Sequence, residues 1–154
     1  MNAISDCRHG GIAETDALRD TKARAMPPVH ESVVLYVEDD PVNALLMQHL
    51  LAAHRPRCAL HVAEDGRSGV ACAERLRPDL VLIDMNLPDI SGLEVLQALR
   101  QNPRTQSLRC IALSANAMPD IVEHARTAGF NDYWTKPIDI HEFLQDLDGQ
   151  LARH

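Results

Sequence analysis

A chain of 154 residues with 45% hydrophobic residues is long enough to bury one modest core and short for two. Acids outnumber bases 22 to 15, the formal net charge is -7, and aromatics make up only 3%, which argues against direct binding of nucleic acid. No apolar run approaches the ~20 residues that span a bilayer, and the N-terminus lacks the apolar core of a secretory signal, so a cytoplasmic location away from membranes is expected.

Residues 1–31 mix charges, carry Gly10-Gly11 and end in Pro27-Pro28. They read as a flexible tail or linker, with Ile12 to Ala25 as a weak helical stretch. Residues 32–154 read as one domain. Val33-Val34-Leu35-Tyr36-Val37 is a nearly continuous apolar run, the mark of a strand buried on both faces of a parallel sheet. Pro41 suits a first helical turn, and Val42, Leu45, Leu46, His49, Leu50 and Ala53 follow at helical spacing. Cys58 to Val62 predicts a second strand, Glu64-Asp65-Gly66 a turn, and Arg67 to Leu76 a helix. Leu80 to Ile83 predicts a third strand ending at Asp84. Ser91 to Gln101 is a third helix with Ser91 as N-cap. Arg109 to Leu113 is a fourth strand, and Ala117 to Ala128 a fourth helix closed by Gly129. Asp132 to Thr135 is a fifth strand, and Asp139 to Ala152 a last helix. Strands alternating with helices indicate an α/β fold with a parallel sheet.

The four cysteines, Cys7, Cys58, Cys72 and Cys110, show no C-x-x-C spacing and read as small hydrophobes in a reducing compartment. The eight histidines show no H-E-x-x-H pattern.

The strand ends carry the chemistry. The first predicted strand ends in Glu38-Asp39-Asp40, the third in Asp84, the fourth in Ser114 and the fifth in Lys136-Pro137. In a parallel sheet these ends share one edge, where ligands of such folds bind. Any one of them has a plain reading, as helix cap, turn residue or solvated lysine. Gathered carboxylates repel one another, and a divalent cation with a nearby ammonium relieves that repulsion. A carboxylate is also a nucleophile toward phosphorus. Glu38, Asp39 and Asp84 are therefore candidate metal ligands, Asp84 a candidate phosphoacceptor, and Lys136 and Ser114 candidate partners of the phosphoryl oxygens.

The segments VVLYVEDDP (33–41), LVLIDMNLPDISG (80–92), IALSANA (111–117) and YWTKPI (133–138) resemble the receiver domains of bacterial two-component response regulators. The resemblance covers about residues 32 to 152. It implies a flavodoxin-like (βα)5 three-layer sandwich with five parallel strands in order 2-1-3-4-5. It implies phosphorylation of Asp84, a Mg²⁺ (or Mn²⁺) site made by Asp39, Asp84, Glu38 acting through water, and the backbone carbonyl of Asn86, and a cis Lys136-Pro137 bond. Pro88 and Gly92 fit the loop after the acceptor. Ser114 and Tyr133 fall at the switch positions, so phosphorylation is expected to alter the surface of the 117–128 helix, the 132–135 strand and the 139–152 helix. Trp134 should face the other side of that strand.

The implied phosphodonor is a sensor histidine kinase or a histidine phosphotransfer protein, with a downstream protein docking on the switch surface. The implied assembly state is a monomer or a weak phosphorylation-dependent homodimer. No output segment follows the last helix, so a stand-alone receiver or the receiver of a hybrid kinase or phosphorelay is expected, rather than a turnover enzyme. Two alternatives differ in kind. A haloacid-dehalogenase-like phosphatase needs D-x-D after its first strand, whereas Asp84 lies on the third and precedes Met85-Asn86. A receiver-fold binding module that is never phosphorylated usually lacks the acceptor or the lysine, and both are present here.

Overall fold

The structure is a computed structural model that describes residues 4–6 and 31–153. Six parallel strands among these residues form one sheet: β1 (Ile4–Asp6), β2 (Ser32–Val37), β3 (Cys58–Ala63), β4 (Leu80–Asp84), β5 (Cys110–Ser114) and β6 (Asp132–Thr135). Among the described residues five helices alternate with them: α1 (Pro41–His54), α2 (Gly66–Leu76), α3 (Gly92–Gln101), α4 (Pro119–Ala128) and α5 (Ile140–Leu151). The sheet order is β1-β3-β2-β4-β5-β6, so β2 to β6 have the expected 2-1-3-4-5 arrangement.

The sixth strand was not expected. Ile4–Asp6, inside the stretch read as a tail, pairs with Leu60–Val62 along the outer edge of β3. Three residues are too few for an alternating pattern to be read, and the pairing is a long-range event. The helical reading of residues 12–25 lies outside the described residues.

Strand residues alternate strictly between two cores. Val34, Tyr36, Leu60, Leu80, Leu82, Ile111, Leu113 and Trp134 face α1 and α5, meeting Ala44, Met47, Leu51, Phe143, Leu144 and Leu147. Leu35, Val37, Val81, Ile83, Cys110, Ala112 and Tyr133 face the other side, meeting Cys72, Ala73, Val95, Leu96, Leu99 and Ala125. A strand covered on both faces has no solvent side, which is why these segments read as unbroken apolar runs. Each fully buried Leu or Ile contributes roughly 1.5–3 kcal/mol. Cys58 and Cys110 are free thiols in these cores, but Cys72 is disulfide-bonded, a departure from the reading of the cysteines as unpaired hydrophobes.

Local chemistry sets the helix starts. Asp40 caps α1, accepting from Val42 N at 2.8 Å, with Pro41 in the first turn. Ser91 and Glu94 form a reciprocal capping box on α3, and Asp65 and Asp139 cap α2 and α5. α4 starts at Pro119 rather than at Ala117, because the residue before a proline resists helical backbone angles and Met118 is extended. Gly129, at φ 122, closes it.

Of the residues at helical spacing in α1, Val42, Leu45 and Leu46 are 62%, 53% and 62% exposed, while Ala44, Met47 and Leu51 are buried. α1 is apolar around most of its circumference, so periodicity alone could not choose its inner face.

Candidate functional site

Because the strands are parallel, the C-terminal ends of β2, β4, β5 and β6 share one edge of the sheet. β2 delivers Glu38 and Asp39 there, β4 delivers Asp84, β5 Ser114 and β6 Lys136. One carboxylate oxygen from each of Glu38, Asp39 and Asp84 lies within 4.8 Å of the others. Glu38 and Asp84 are buried, at 2% and 7% exposure, and Asp39 is exposed.

Lys136 bridges the buried pair. Its Nζ donates to Glu38 Oε1 at 2.9 Å and to Asp84 Oδ2 at 3.1 Å. Asp84 Oδ1 accepts from the backbone N–H of Asn86 at 2.9 Å. Glu38 Oε1 is crowded with donors: besides Lys136 it accepts from Tyr36 Oη at 2.8 Å and from Asn43 Nδ2 at 3.3 Å. Glu38 Oε2 accepts from Asp40 N at 3.3 Å.

These contacts divide the charge unequally. Burial pushes the Glu38 carboxyl up, but its hydrogen bonds with Asp84, Lys136 and Tyr36 outweigh that and hold it below the usual range. Burial and the adjacent Glu38 push the Asp84 carboxyl up, more than the Asn86 N–H and Lys136 bring it down. Burial disfavours the Lys136 ammonium, yet Glu38 and Asp84 raise it overall. Burial, then the charge of Glu38, raises the Tyr36 phenol well above its ordinary value, so it stays protonated and donates. The donor set is all hard oxygen with surplus negative charge, which fits Mg²⁺ or Mn²⁺ and not a thiophilic metal.

Ser114 is buried beside this cluster, with Oγ accepting from Asn116 N at 3.1 Å and its carbonyl accepting from Lys136 N at 2.9 Å. Tyr133 is 7% exposed, and its hydroxyl donates to the carbonyl of Asn116 in the loop that follows Ser114. Trp134 lies on the opposite face, edge-on to Phe143 with ring centroids 5.5 Å apart. The Lys136–Pro137 bond is cis.

The loop after Asp84 is packed tightly. A Cβ on Gly92 would sit 2.8 Å from the Asp84 carbonyl oxygen and from Met85 Cα, so only glycine fits without a backbone shift. Asp89 spans to α2, its two oxygens accepting from Gly66 N at 2.8 Å and Arg67 N at 2.9 Å. Burial opposes ionisation of Asp89, but the backbone N–H groups of Arg67, Gly66, Ile90 and Asp89 itself together hold its carboxyl below the usual range.

The structure thus brings together Glu38, Asp39, Asp84 and Lys136, with Ser114 and Asn86 adjoining and Tyr133 tied to the Ser114 loop. Sequence reasoning passed over Tyr36, Asn43 and Asp89. Tyr36 was read as core only, although a residue two before Glu38 on a strand shares its face. No comparable signal marked Asp89, whose partners lie 22 and 23 residues away.

No helix among the described residues is long and apolar enough to cross a membrane. The profile of the response regulator receiver domain matches residues 34–148. The transcriptional regulatory protein TcrX of Mycobacterium tuberculosis is 41% identical over 122 residues, 78% of this chain and 50% of TcrX. The polar-differentiation response regulator DivK of Brucella anthropi is 32% identical over 119 residues, 77% of this chain and 95% of DivK. The chain spans only 50% and 56% of TcrX and of the M. tuberculosis regulator TrcR. Among solved structures, the receiver domain of the sensor histidine kinase PA1611 from Pseudomonas aeruginosa, with magnesium in its active-site cleft, superposes with TM-score 0.72 at 31% identity, covering 80% of this chain and 99% of that one. The Mn²⁺-bound response regulator Rcp1 gives TM-score 0.66 at 27% identity, covering 79% and 93%. A sheet edge with three clustered carboxylates and one bridging lysine, on a fold and sequence shared with these proteins, places the chain in the response regulator receiver domain family.

Proposed function

We propose that this chain accepts a phosphoryl group on Asp84 from a phosphohistidine of a sensor histidine kinase or histidine phosphotransfer protein, in a reaction that needs Mg²⁺. The observation that carries this is the Lys136 ammonium lying between the two buried carboxylates at 2.9 and 3.1 Å. An Asp84 oxygen attacks phosphorus, a P–O bond forms as the P–N bond breaks, and the imidazole leaves, taking up a proton from solvent. Asn86 N–H holds Oδ1, leaving Oδ2 and its Lys136 contact on the reacting side. Glu38, Asp39, Asp84 and the Asn86 carbonyl would hold the cation, which when bound neutralises phosphoryl oxygens. Lys136 then exchanges a carboxylate for a phosphoryl oxygen, and Ser114 Oγ donates to another.

In this reading Ser114 and Tyr133 transmit the change, through the Asn116 carbonyl that Tyr133 already engages. The added charge biases two states of the α4-β6-α5 face, where a downstream protein docks. The donor docks elsewhere. A groove of about 510 Å³ runs from Lys136 between Leu46, Met47 and Leu50 of α1 and Pro137 to Ile140. With Leu46 and Ile140 exposed in its lining, it suits an apolar helix face presenting the phosphohistidine next to Asp84. Such donors act in the cytoplasm, although a disulfide at Cys72 is unusual there. Modification of the chain's own aspartate, and its slow hydrolysis, is then the whole of its chemistry, with no small-molecule turnover.

Acetyl phosphate with Mg²⁺ should add one phosphoryl group by intact mass to the wild type and none to Asp84→Asn. An unmodified wild type would instead favour a receiver-fold binding module.

A further inference from the structure

Tyr36 is the least expected polar group near the site. Its ring is buried in the α1/α5 core at 1% exposure, and its hydroxyl ends on Glu38 Oε1 at 2.8 Å. A carboxylate oxygen has two lone pairs, and Oε1 already faces Lys136 and Asn43 as well. Oε1 is therefore saturated from the protein side. Oε2 accepts the longer 3.3 Å contact from Asp40 N.

Building on the metal site assigned above, we propose that Tyr36 is a positioning residue for Mg²⁺. With Asn43, it pins Glu38 Oε1 into the protein and thereby turns Oε2 toward the cation. The two neutral donors matter most in the phosphorylated state. Lys136 is shared between Glu38 and Asp84 and leaves Oε1 when it pairs with a phosphoryl oxygen. Among the described residues Tyr36 Oη and Asn43 Nδ2 donate to Glu38 alone, so they hold it in place throughout. The restraint is stiff because it comes from a side chain locked in the sheet core, two residues before Glu38 on the same strand face. A glutamate needs such a restraint more than an aspartate, since its extra methylene adds a rotatable bond.

The test is Mg²⁺ affinity measured by calorimetry, with the magnesium ion alone as titrant. Tyr36→Phe keeps the ring and removes only the hydroxyl. Its dissociation constant should rise roughly 3- to 10-fold, at or below the low end of effects seen for outer-shell partners. Asn43→Ala, at a half-buried position less exposed to folding failure, should give a smaller rise in the same direction. In a Glu38→Gln background the Tyr36→Phe effect should vanish, because the hydroxyl acts through that carboxylate. An unchanged dissociation constant in both single variants overturns the proposal. So does an equal rise with and without Glu38, since that describes general loosening of the core. If the wild type itself neither binds Mg²⁺ nor accepts phosphate, the underlying site assignment has failed. If it does both and the variants match it, only the role of Tyr36 has.

Discussion

Replacing Lys136 by methionine keeps the apolar stem of the side chain and removes its charge, and the structure gives the size of the consequence. Two like-charged carboxylates with oxygens within 4.8 Å of each other, at an effective dielectric of about 20, repel by about 3 kcal/mol or more. The Nζ contacts at 2.9 and 3.1 Å offset that repulsion, and desolvation of a lysine side chain that is only 20% exposed opposes them. Their loss leaves the buried pair to relieve itself by taking up a proton. Protonating a group of ordinary pKa ~4 at pH 7 costs about 4 kcal/mol, which caps the effect. Lys136→Met should therefore lose about 2–4 kcal/mol in urea denaturation at pH 7.5 with chelator present. In the variant the folded-state carboxyl titrates above its unfolded value, so folding binds a proton. Stability then rises as pH falls through that raised value toward the unfolded one, and the gap from wild type should narrow by pH 5.5. Mg²⁺ should narrow it too, by stabilising the folded state. A loss of the same size at both pH values, with and without Mg²⁺, would show that Lys136 stabilises through its stem and not its charge.

Three further outcomes follow from geometry. Gly92→Ala should destabilise the fold by about 1–3 kcal/mol and slow labelling by acetyl phosphate, since the added methyl meets the backbone of Asp84 and Met85; wild-type labelling with wild-type stability would contradict the packing. Asp89→Ala should cost about 1 kcal/mol by removing the acceptor of two N–H groups at the start of α2. Because the Asp89 carboxyl sits below its unfolded range, that difference should be full above about pH 4 and close as pH falls through the depressed value; a pH-independent difference would assign it to something other than the carboxylate. Leu46→Glu, on the exposed rim of α1, should leave acetyl phosphate labelling unchanged and slow transfer from a phosphohistidine protein about tenfold or more; equal slowing from both donors would place the defect in the acceptor site itself.

Much of the molecule was legible in one dimension. Strands buried on both faces carry their assignment in composition, so β2, β4 and β5 were found within a residue or two. Capping residues work locally, and Asp40, Ser91 and Asp139 marked helix starts correctly. The clustering of Glu38, Asp39, Asp84 and Lys136 followed from one rule, that parallel strands end at the same edge. What escaped depended on partners far away in the chain. Ile4–Asp6 is a strand only because β3 has a free edge, and Asp89 is a cap only because α2 begins beside it. The inner face of α1 was decided by the sheet it lies on, not by its own apolar residues, which surround it.

The sequence by itself determined which chemical groups reach the site, because each sits at the end of an element whose type is locally encoded. Tertiary structure decided how those groups share their hydrogen bonds: that three donors converge on one oxygen of Glu38, and that one lysine serves two carboxylates. Local pattern fixes the direction of a strand end to a few ångströms, whereas a hydrogen bond is set within tenths of an ångström by the packing of both cores around it.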